Sequence, residues 1–303
     1  SGSPATVLVV LHFPENTASV LPAILNRRAK MFAKNPLDNA PLEPGQIYVA
    51  RPGYHLLVKR DRIRLVAGPR ENSNRPAIDP LFRTAARSRG PSVVSVILSG
   101  MLDDGTLGTA VVRRHGGITI AQDPESAMFP DMPRNAIQNV GVHHVLPLEE
   151  IAPKLIQLVS EPSSVDWEAY DFIDATEMDL NELHAMERQG RPSQYVCPEC
   201  KGTLFELEEE GFAHFRCHVG HAYSVETLAA KQAEGLEAAL WTALRSIEEN
   251  NLLLHRMIAR SEQRSLSITV ANYKAKLAEG VQKARIIREA LEVGSEPHEA
   301  IRE

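Results

Sequence analysis

The first half of the chain alternates short apolar runs with longer amphipathic stretches. The apolar runs are rich in valine and isoleucine and are bounded by polar or turn residues, which is typical of buried strands. The predicted strands are residues 6–11, 93–98, 118–121 and 144–146, and the predicted helices are residues 18–28, 80–87, 106–115 and 148–159. This alternation predicts an α/β fold with a doubly wound, mostly parallel sheet.

Three closely spaced runs lie between the first two of these strands. Residues 47–50, 55–58 and 62–66 are β-branched or apolar, and turn residues separate them at Arg51-Pro52-Gly53 and Lys59-Arg60-Asp61. This spacing predicts a small antiparallel meander.

The second half of the chain has a different pattern. Residues 161–191 carry nine acidic residues against two arginines, which indicates a solvated connector. Ser224 is a candidate N-cap for a long helix to about residue 260, and residues 270–291 repeat the same three-four apolar spacing. The chain therefore divides into an α/β domain (1–160), an acidic connector (161–191), a cysteine segment (192–223) and a helical hairpin (224–296). The paired helices also offer a surface for a homo-oligomer.

Bulk composition narrows the classes of function. The net charge is −6 and the pI is about 6.0, which disfavours electrostatic attraction to nucleic acid or to anionic membranes. No apolar run approaches the roughly 18 residues that a spanning helix needs. We therefore expect a cytoplasmic protein that neither binds nucleic acid nor inserts into a membrane.

The three cysteines indicate a metal site. Cys197 and Cys200 form a C-x2-C knuckle, and Cys217 follows after sixteen residues, with His218 and His221 close behind. Between this knuckle and Cys217, apolar and polar residues alternate over residues 204–207 and 213–216, as in two strands of a hairpin. This is the layout of a zinc ribbon, in which a second knuckle, here Cys217 with the histidines that follow, completes the site.

The fourth ligand of such a site has to be a histidine. His214, His218 and His221 are candidates, and we prefer His221 because a C-x3-H span lets the chain fold back around the metal. His218 remains the alternative. Four protein ligands imply a structural zinc rather than a catalytic one. Buried cysteines without metal are disfavoured, because so small a segment has too little core to fold unaided.

Polar residues follow two of the predicted strands. His12 ends the first strand, and Asp103-Asp104-Gly105 follows the second. The carboxyl ends of strands meet over one edge of an open α/β sheet, so these side chains can converge. A histidine can then act as a base that a carboxylate orients. The positions alone leave open a structural histidine and an ordinary Asp-Gly turn.

Six spaced motifs, in order, resemble the catalytic domain of the chemotaxis protein-glutamate methylesterase (CheB) family over roughly residues 5–160. They lie at residues 11–14 (Leu-His-Phe-Pro), 42–50, 74–82, 96–105, 121–123 and 132–137. The resemblance implies a Ser-His-Asp site in which His12 is the base and Asp104, rather than Asp103, its partner. It also implies that the Met101 amide helps to hold an oxyanion. Arg134, at a helix start, either lines the cleft or is a surface arginine.

The family serine lies in a Gly-Ala-Ser-x-Gly-Gly turn that the 303 residues do not contain. Ser3 is too close to the first strand to occupy such a turn, and Ser99 lies beside the aspartate motif, where we expect a structural role. We expect the serine to lie upstream of residue 1 and this chain to be inactive without it. The sequence also departs from the family at Leu11, Asn74 and Leu102, where the family has Gln, His and Gly.

Two functions follow from these observations. The resemblance implies a methylesterase, with glutamine deamidase activity as an extension, that acts on methylated chemoreceptors or a related sensory protein. The alternative is a non-catalytic signalling or docking module whose ribbon and helices hold a partner. A similar ribbon followed by helices occurs behind methylesterase-like domains in some CheB-related proteins, which implies one architecture but no role.

Overall fold

The structure is a computed structural model that describes residues 4–15, 17–160 and 190–294. The chain forms two compact units, residues 1–229 and residues 230–303. The predicted acidic connector, residues 161–191, lies outside the described residues except for its last two positions.

The N-terminal strands form a three-stranded parallel sheet. Strand β3 (Gln46–Val49) lies between β1 (Val7–Val9) and β2 (Phe32–Lys34), and the short helix α1 (Leu21–Leu25) precedes β2. The predicted meander is therefore wrong in its first strand, because residues 47–50 pair in parallel. Ile47 and Tyr48 point to opposite faces and both are buried, as expected of a central strand covered on both sides. The other two predicted strands do form an antiparallel hairpin, β4 (His55–Lys59) and β5 (Arg62–Val66).

A second three-stranded parallel sheet carries the remaining strands of this half. Its strands run in the order β6 (Val94–Ile97), β7 (Ile118–Gln122) and β8 (His144–Leu146). The accompanying helices are α2 (Ile78–Arg89), α3 (Thr106–Arg114), α4 (Asp131–Val140) and α5 (Leu148–Ser160). The chain is thus of the α/β class with parallel strands. The largest hydrophobic cluster joins the β4–β5 hairpin to α2 and to Tyr48 of β3.

Residues 191–224 form a four-stranded antiparallel sheet in the order β12-β11-β10-β9. The strands are β9 (Arg191–Val196), β10 (Thr203–Glu209), β11 (Phe212–Cys217) and β12 (Ala222–Ser224). Its small core contains Leu204, Phe215 and Tyr223, together with Leu228 from the following helix. We refer to residues 191–224 as the ribbon. It belongs to the same compact unit as the α/β domain.

Two long helices follow, α6 (Val225–Gln263) and α7 (Ser267–Gly294). Ser224 caps α6, as its sequence position predicts, because its Oγ accepts a hydrogen bond from the Thr227 amide at 3.0 Å. The two helices are joined by ion pairs between Glu248 and Arg288 and between Glu262 and Lys274. None of the described helices is both long enough and apolar enough to cross a membrane.

Candidate active site and metal centre

His12 and Asp104 meet at the ends of their two strands. His12 lies three residues beyond β1, and Asp104 lies in the turn between β6 and α3. The Nε2 atom of His12 is 2.8 Å from Oδ2 of Asp104. The aspartate side chain is 2% exposed and the histidine 28%. A buried carboxylate therefore orients an imidazole whose Nδ1 is left for exchange of a proton with a reacting group.

Four donors converge on the Asp104 carboxylate. Besides His12, these are the Ile78 amide at 2.7 Å, the Asn72 side-chain amide at 3.1 Å and the Asp79 amide at 3.3 Å. Burial is the strongest influence and raises the pKa of Asp104. The hydrogen bond and charge of His12, with the Ile78 and Asn72 donors, outweigh burial and hold that pKa below its usual value. Asp104 is thus kept ionised, as a partner for an imidazolium has to be.

Asp79 is a second buried carboxyl beside this pair. Burial, followed by the negative charge of Asp104, raises the pKa of Asp79 well above its usual value, so Asp79 is held neutral while Asp104 carries the charge. Its Oδ1 accepts from the Gly108 amide at 2.7 Å. A Cβ at Gly108 would lie 2.6 Å from Cβ of Phe82, so glycine lets α3 approach α2 closely enough for this bond.

The loop after β6 holds the other predicted residues of the active site. Gly100 donates its N–H to the Phe129 carbonyl and accepts from the Met132 amide, which fixes the backbone next to Met101. The Met101 side chain is exposed. Ser99 Oγ accepts from the Phe129 amide at 2.9 Å, a bond that stabilises this loop. Arg134 lies on α4 with its guanidinium 3.9 Å from Asp131, an arrangement that suits a surface arginine at a helix start.

The ribbon brings three sulfurs and one imidazole together. The ligand atoms of Cys197, Cys200, Cys217 and His221 all lie within 4.8 Å of one another. Nδ1 of His221 is 3.7 Å from the Cys197 sulfur and 3.5 Å from the Cys217 sulfur. His221, and not His218, thus joins the three cysteines in this cluster. One tetrahedral metal with bonds of about 2.0–2.3 Å fits among atoms at these separations.

The groups around the cluster also suit a metal. Nε2 of His221 is 3.3 Å from the Glu199 carboxylate, and a carboxylate behind the ring is a frequent partner of metal-binding histidines. The Cys200 amide donates to the Cys197 sulfur at 3.5 Å. The Tyr223 hydroxyl lies 3.4 Å from the same sulfur. These donors favour a charged thiolate, the form in which cysteine binds metal.

The comparisons with known proteins give the family. The CheB methylesterase family model matches residues 1–155, about half of the chain. The chain belongs to the CheB methylesterase family. The matched range contains both His12 and Asp104, whereas the ribbon and the two long helices lie beyond it.

Curated CheB relatives match over the same half. A "Protein-glutamate methylesterase/protein-glutamine glutaminase 2" of Xanthomonas campestris is 34% identical over 154 residues, which cover 50% of this chain and 44% of that protein. The "Protein-glutamate methylesterase/protein-glutamine glutaminase 4" of Anaeromyxobacter dehalogenans is 35% identical over 164 residues, which cover 53% of this chain and 46% of that protein. The matched region therefore spans less than half of these relatives. The crystal structure of the Thermotoga maritima CheB methylesterase catalytic domain is 32% identical, with a TM-score of 0.49, over 51% of this chain and 84% of that one.

Several residues around Asp104 were not predicted from the sequence as part of the candidate site. Asn72, Asp79 and the Ile78 amide all bind Asp104 or its neighbour, and none of them follows a predicted strand. The available signal was the motif at residues 74–82, which contains both Ile78 and Asp79.

Proposed function

We propose that residues 1–155 provide the base and the orienting carboxylate of a hydrolase that cleaves glutamate methyl esters in a protein substrate. The observation that carries this proposal is the 2.8 Å contact between His12 and the buried Asp104. Membership of the CheB methylesterase family supports the ester-hydrolysing class. The names of the curated relatives support protein-bound glutamate and glutamine side chains as substrates.

In the proposed mechanism, Nδ1 of His12 accepts the proton of a serine hydroxyl as the serine oxygen attacks the ester carbonyl. Asp104 stabilises the resulting imidazolium, and the Met101 amide with its neighbours binds the oxyanion. His12 then returns the proton to the departing methanol. In the second half, His12 takes a proton from water, hydroxide attacks the acyl-enzyme, and the serine leaves with that proton. The products are methanol and a free glutamate side chain.

The serine of this mechanism belongs to the Gly-Ala-Ser-x-Gly-Gly turn of the family, which is not among the 303 residues. The test therefore uses the full-length product of the native gene. A protein that has the histidine and the aspartate but lacks this serine cannot form the acyl-enzyme.

The experiment measures methanol release from a methylated chemoreceptor, the proposed partner. We expect His12→Ala and Asp104→Asn each to lower kcat by about 10³-fold or more, as in other Ser-His-Asp enzymes. Asp131→Asn is the matched control, because Asp131 is an aspartate of the same domain whose side chain is about half exposed, and it should leave the rate unchanged. Equal rates in all four proteins would contradict the proposal.

The second candidate is a non-catalytic docking module. The observation in its favour is that the ribbon and the two long helices lie beyond residues 1–155, the range that the family model matches. The same assay separates the two functions. A full-length wild type that releases no methanol, yet binds the receptor through the ribbon or the helices, would favour the docking module.

We also propose that the ribbon binds one structural zinc through Cys197, Cys200, Cys217 and His221. The clustering of their four ligand atoms supports this proposal. When bound, zinc would cross-link the Cys197–Cys200 knuckle to Cys217 and His221, and it would not itself take part in the ester chemistry. Metal analysis should find about one zinc per chain. His221→Ala should lose the metal, whereas the neighbouring His218→Ala should keep it, and the reverse pattern would exchange their roles.

A further inference from the structure

The ribbon lies against the loop that precedes α2. The Ala222 amide of β12 donates to the Arg70 carbonyl at 3.1 Å, and the Asn72 amide donates to the Ala222 carbonyl at 2.9 Å. Glu71, between them in the chain, forms a parallel β-bridge with Ala222. The last strand of the ribbon is therefore joined to the α/β domain by main-chain hydrogen bonds on both sides of one residue.

A buried ion cluster lies next to this contact. The Glu71 carboxylate accepts from Arg83 of α2 at 2.8 and 2.9 Å and from Arg216 of β11 at 3.4 Å. Burial raises the pKa of Glu71 most strongly, but the two arginines outweigh it and lower the pKa to about 2. All three side chains are less than a tenth exposed. Because an unpaired buried charge is strongly destabilising, this cluster holds the ribbon in one place.

Asn72 extends the contact into the active site. Its Oδ1 accepts from the Ser224 amide at 3.0 Å, at the end of β12. Its Nδ2 donates to Asp104 at 3.1 Å and to Asp79 at 2.9 Å. A carboxamide has one acceptor side and one donor side, and here an N–H faces the oxygen while two carboxyl groups face the nitrogen. One buried side chain thus bridges the ribbon to the carboxylate that orients His12.

A second link runs through the residue beside Asp104. Oδ1 of Asp103 accepts from the Ser224 hydroxyl at 2.8 Å and from the Thr227 hydroxyl at 3.1 Å. Asp103 therefore holds the junction between the ribbon and α6, while the adjacent Asp104 holds His12. Asp103 and Asp104 are adjacent in one turn, so the two contacts share the same stretch of backbone.

We propose that Asn72 is a positioning residue for Asp104 and that the docked ribbon holds Asn72, so that metal binding by the ribbon and the geometry of the His12–Asp104 pair are thermodynamically linked. The effect on catalysis rests on the proposed esterase function, and the effect on metal affinity rests on the proposed metal site. The linkage itself is inferred from the contacts just described.

Linkage is reciprocal: if the bound metal favours the docked ribbon and thereby the ordered carboxylate, then disturbing the carboxylate end weakens the metal. We expect Asn72→Ala to weaken Co²⁺ and Zn²⁺ binding by about 10-fold, within the usual range of such couplings. The measurement is chelator competition on the 303-residue chain.

Asn26→Ala is the matched control for this measurement. Asn26 is exposed, but it also makes two part-buried side-chain hydrogen bonds in the α/β domain, with the Ala33 amide at 2.7 Å and the Ala33 carbonyl at 2.8 Å. It lies at the C-terminal end of α1. Its substitution should leave the metal affinity unchanged. Equal losses of affinity in both variants would overturn the proposal.

A second measurement needs no variant. The Ile78 amide, which donates to Asp104 rather than within α2, should exchange with deuterium about 10-fold faster when a chelator removes the metal, a change that couplings of this size produce. The Ala33 amide, which donates to Asn26, should be unaffected. If the exchange rate of the Ile78 amide is the same with and without the metal, the linkage is overturned, even if Asn72→Ala fails to fold.

The catalytic arm uses the full-length protein. Asn72→Ala should lower kcat by about 10-fold with little change in KM, because the defect lies in orienting His12 rather than in binding substrate. If metal affinity and Ile78 exchange respond as expected but wild type hydrolyses no ester, the linkage is supported and the esterase function fails. If wild type is active and Asn72→Ala behaves like Asn26→Ala in every assay, the positioning role is overturned.

Discussion

At the scale of single residues, three neighbouring carboxyl groups take different charge states from their surroundings. Asp104 is held ionised by four donors, whereas burial and the charge of Asp104 keep Asp79 neutral. Burial raises the pKa of Asp103 to about 7, against the hydrogen bonds from Ser224 and Thr227 and with the help of Glu226 and Asp104. One turn thus combines a carboxylate fixed in its ionised form with one that titrates near neutral pH.

The raised pKa of Asp103 predicts a pH dependence of stability. Its folded-state pKa of about 7 exceeds its ordinary value of 3.8, so the folded chain binds this proton more tightly than the unfolded chain does. The contribution to stability is full below about pH 4 and is lost as the pH rises through about 7. We expect the wild-type free energy of unfolding to fall relative to that of Asp103→Asn between about pH 4 and 7, and to level off above that range.

Urea denaturation of the metal-loaded chain checks this expectation. The asparagine variant keeps an oxygen that can accept from both hydroxyls, and it has no proton to titrate at that position. Parallel curves of unfolding free energy against pH for the two proteins would contradict the prediction.

At the scale of secondary-structure elements, the sequence predicted most of the pieces and missed how some of them pair. The strand at residues 47–50 was predicted, but its periodicity does not encode strand direction, and it forms the centre of a parallel sheet. Strand β2 was not predicted, because its three residues, Phe-Ala-Lys, include none of the β-branched residues that indicate a strand.

In the candidate site, too, some contacts were predictable from the sequence and others were not. The convergence of His12 with Asp104 was predictable, because carboxyl ends of strands share an edge. The roles of Glu71 and Asn72 were not, because both lie in a polar stretch typical of a loop. Glu71 is buried against Arg83 and against Arg216, which comes 145 residues later. No local pattern carries such information.

The contact between α2 and β11 gives a stability prediction. Glu71→Gln removes the charge between Arg83 and Arg216 and leaves both buried guanidinium groups without the carboxylate to which they donate. We expect a loss of about 3–5 kcal/mol in the free energy of unfolding. Glu43→Gln breaks an ion pair with Lys34 whose side chains are both more than a third exposed, and it should cost no more than about 1 kcal/mol. Urea denaturation measures both losses. Similar losses of unfolding free energy in the two variants would show that burial of the cluster contributes nothing to stability.

At the scale of the whole molecule, the family match covers the first half and leaves two long helices outside it. Within the second unit, residues 230–303, several large apolar side chains are more than half exposed. They are Leu236, Trp241, Leu252, Leu253, Ile268, Val281 and Ile286. Apolar surface at this density is typical of helices that bind a further helix. We therefore retain a homo-oligomer through these helices as a prediction, with a second copy of the chain as the occupant.

Sedimentation of the 303-residue chain tests this prediction. We expect wild type to self-associate and Leu252→Lys to shift the equilibrium towards monomer, because a charge replaces apolar surface at the contact. Asn250→Lys adds the same charge at an exposed polar position two residues away and should retain the wild-type behaviour. A wild type that remains monomeric at the highest concentration reached would contradict the prediction.

The seating of β12 on the 70–74 loop also bears on how the chain can be divided. Cutting the chain at the predicted domain border, residue 160, would separate Glu71 from Arg216. It would also separate the side-chain oxygen of Asn72 from the Ser224 amide. A fragment ending there would leave Glu71 without Arg216 and Asn72 without the Ser224 amide, next to the His12–Asp104 pair. We therefore expect deletion of the ribbon to disturb the α/β domain, and a transfer of that domain to another protein to work better with the ribbon included.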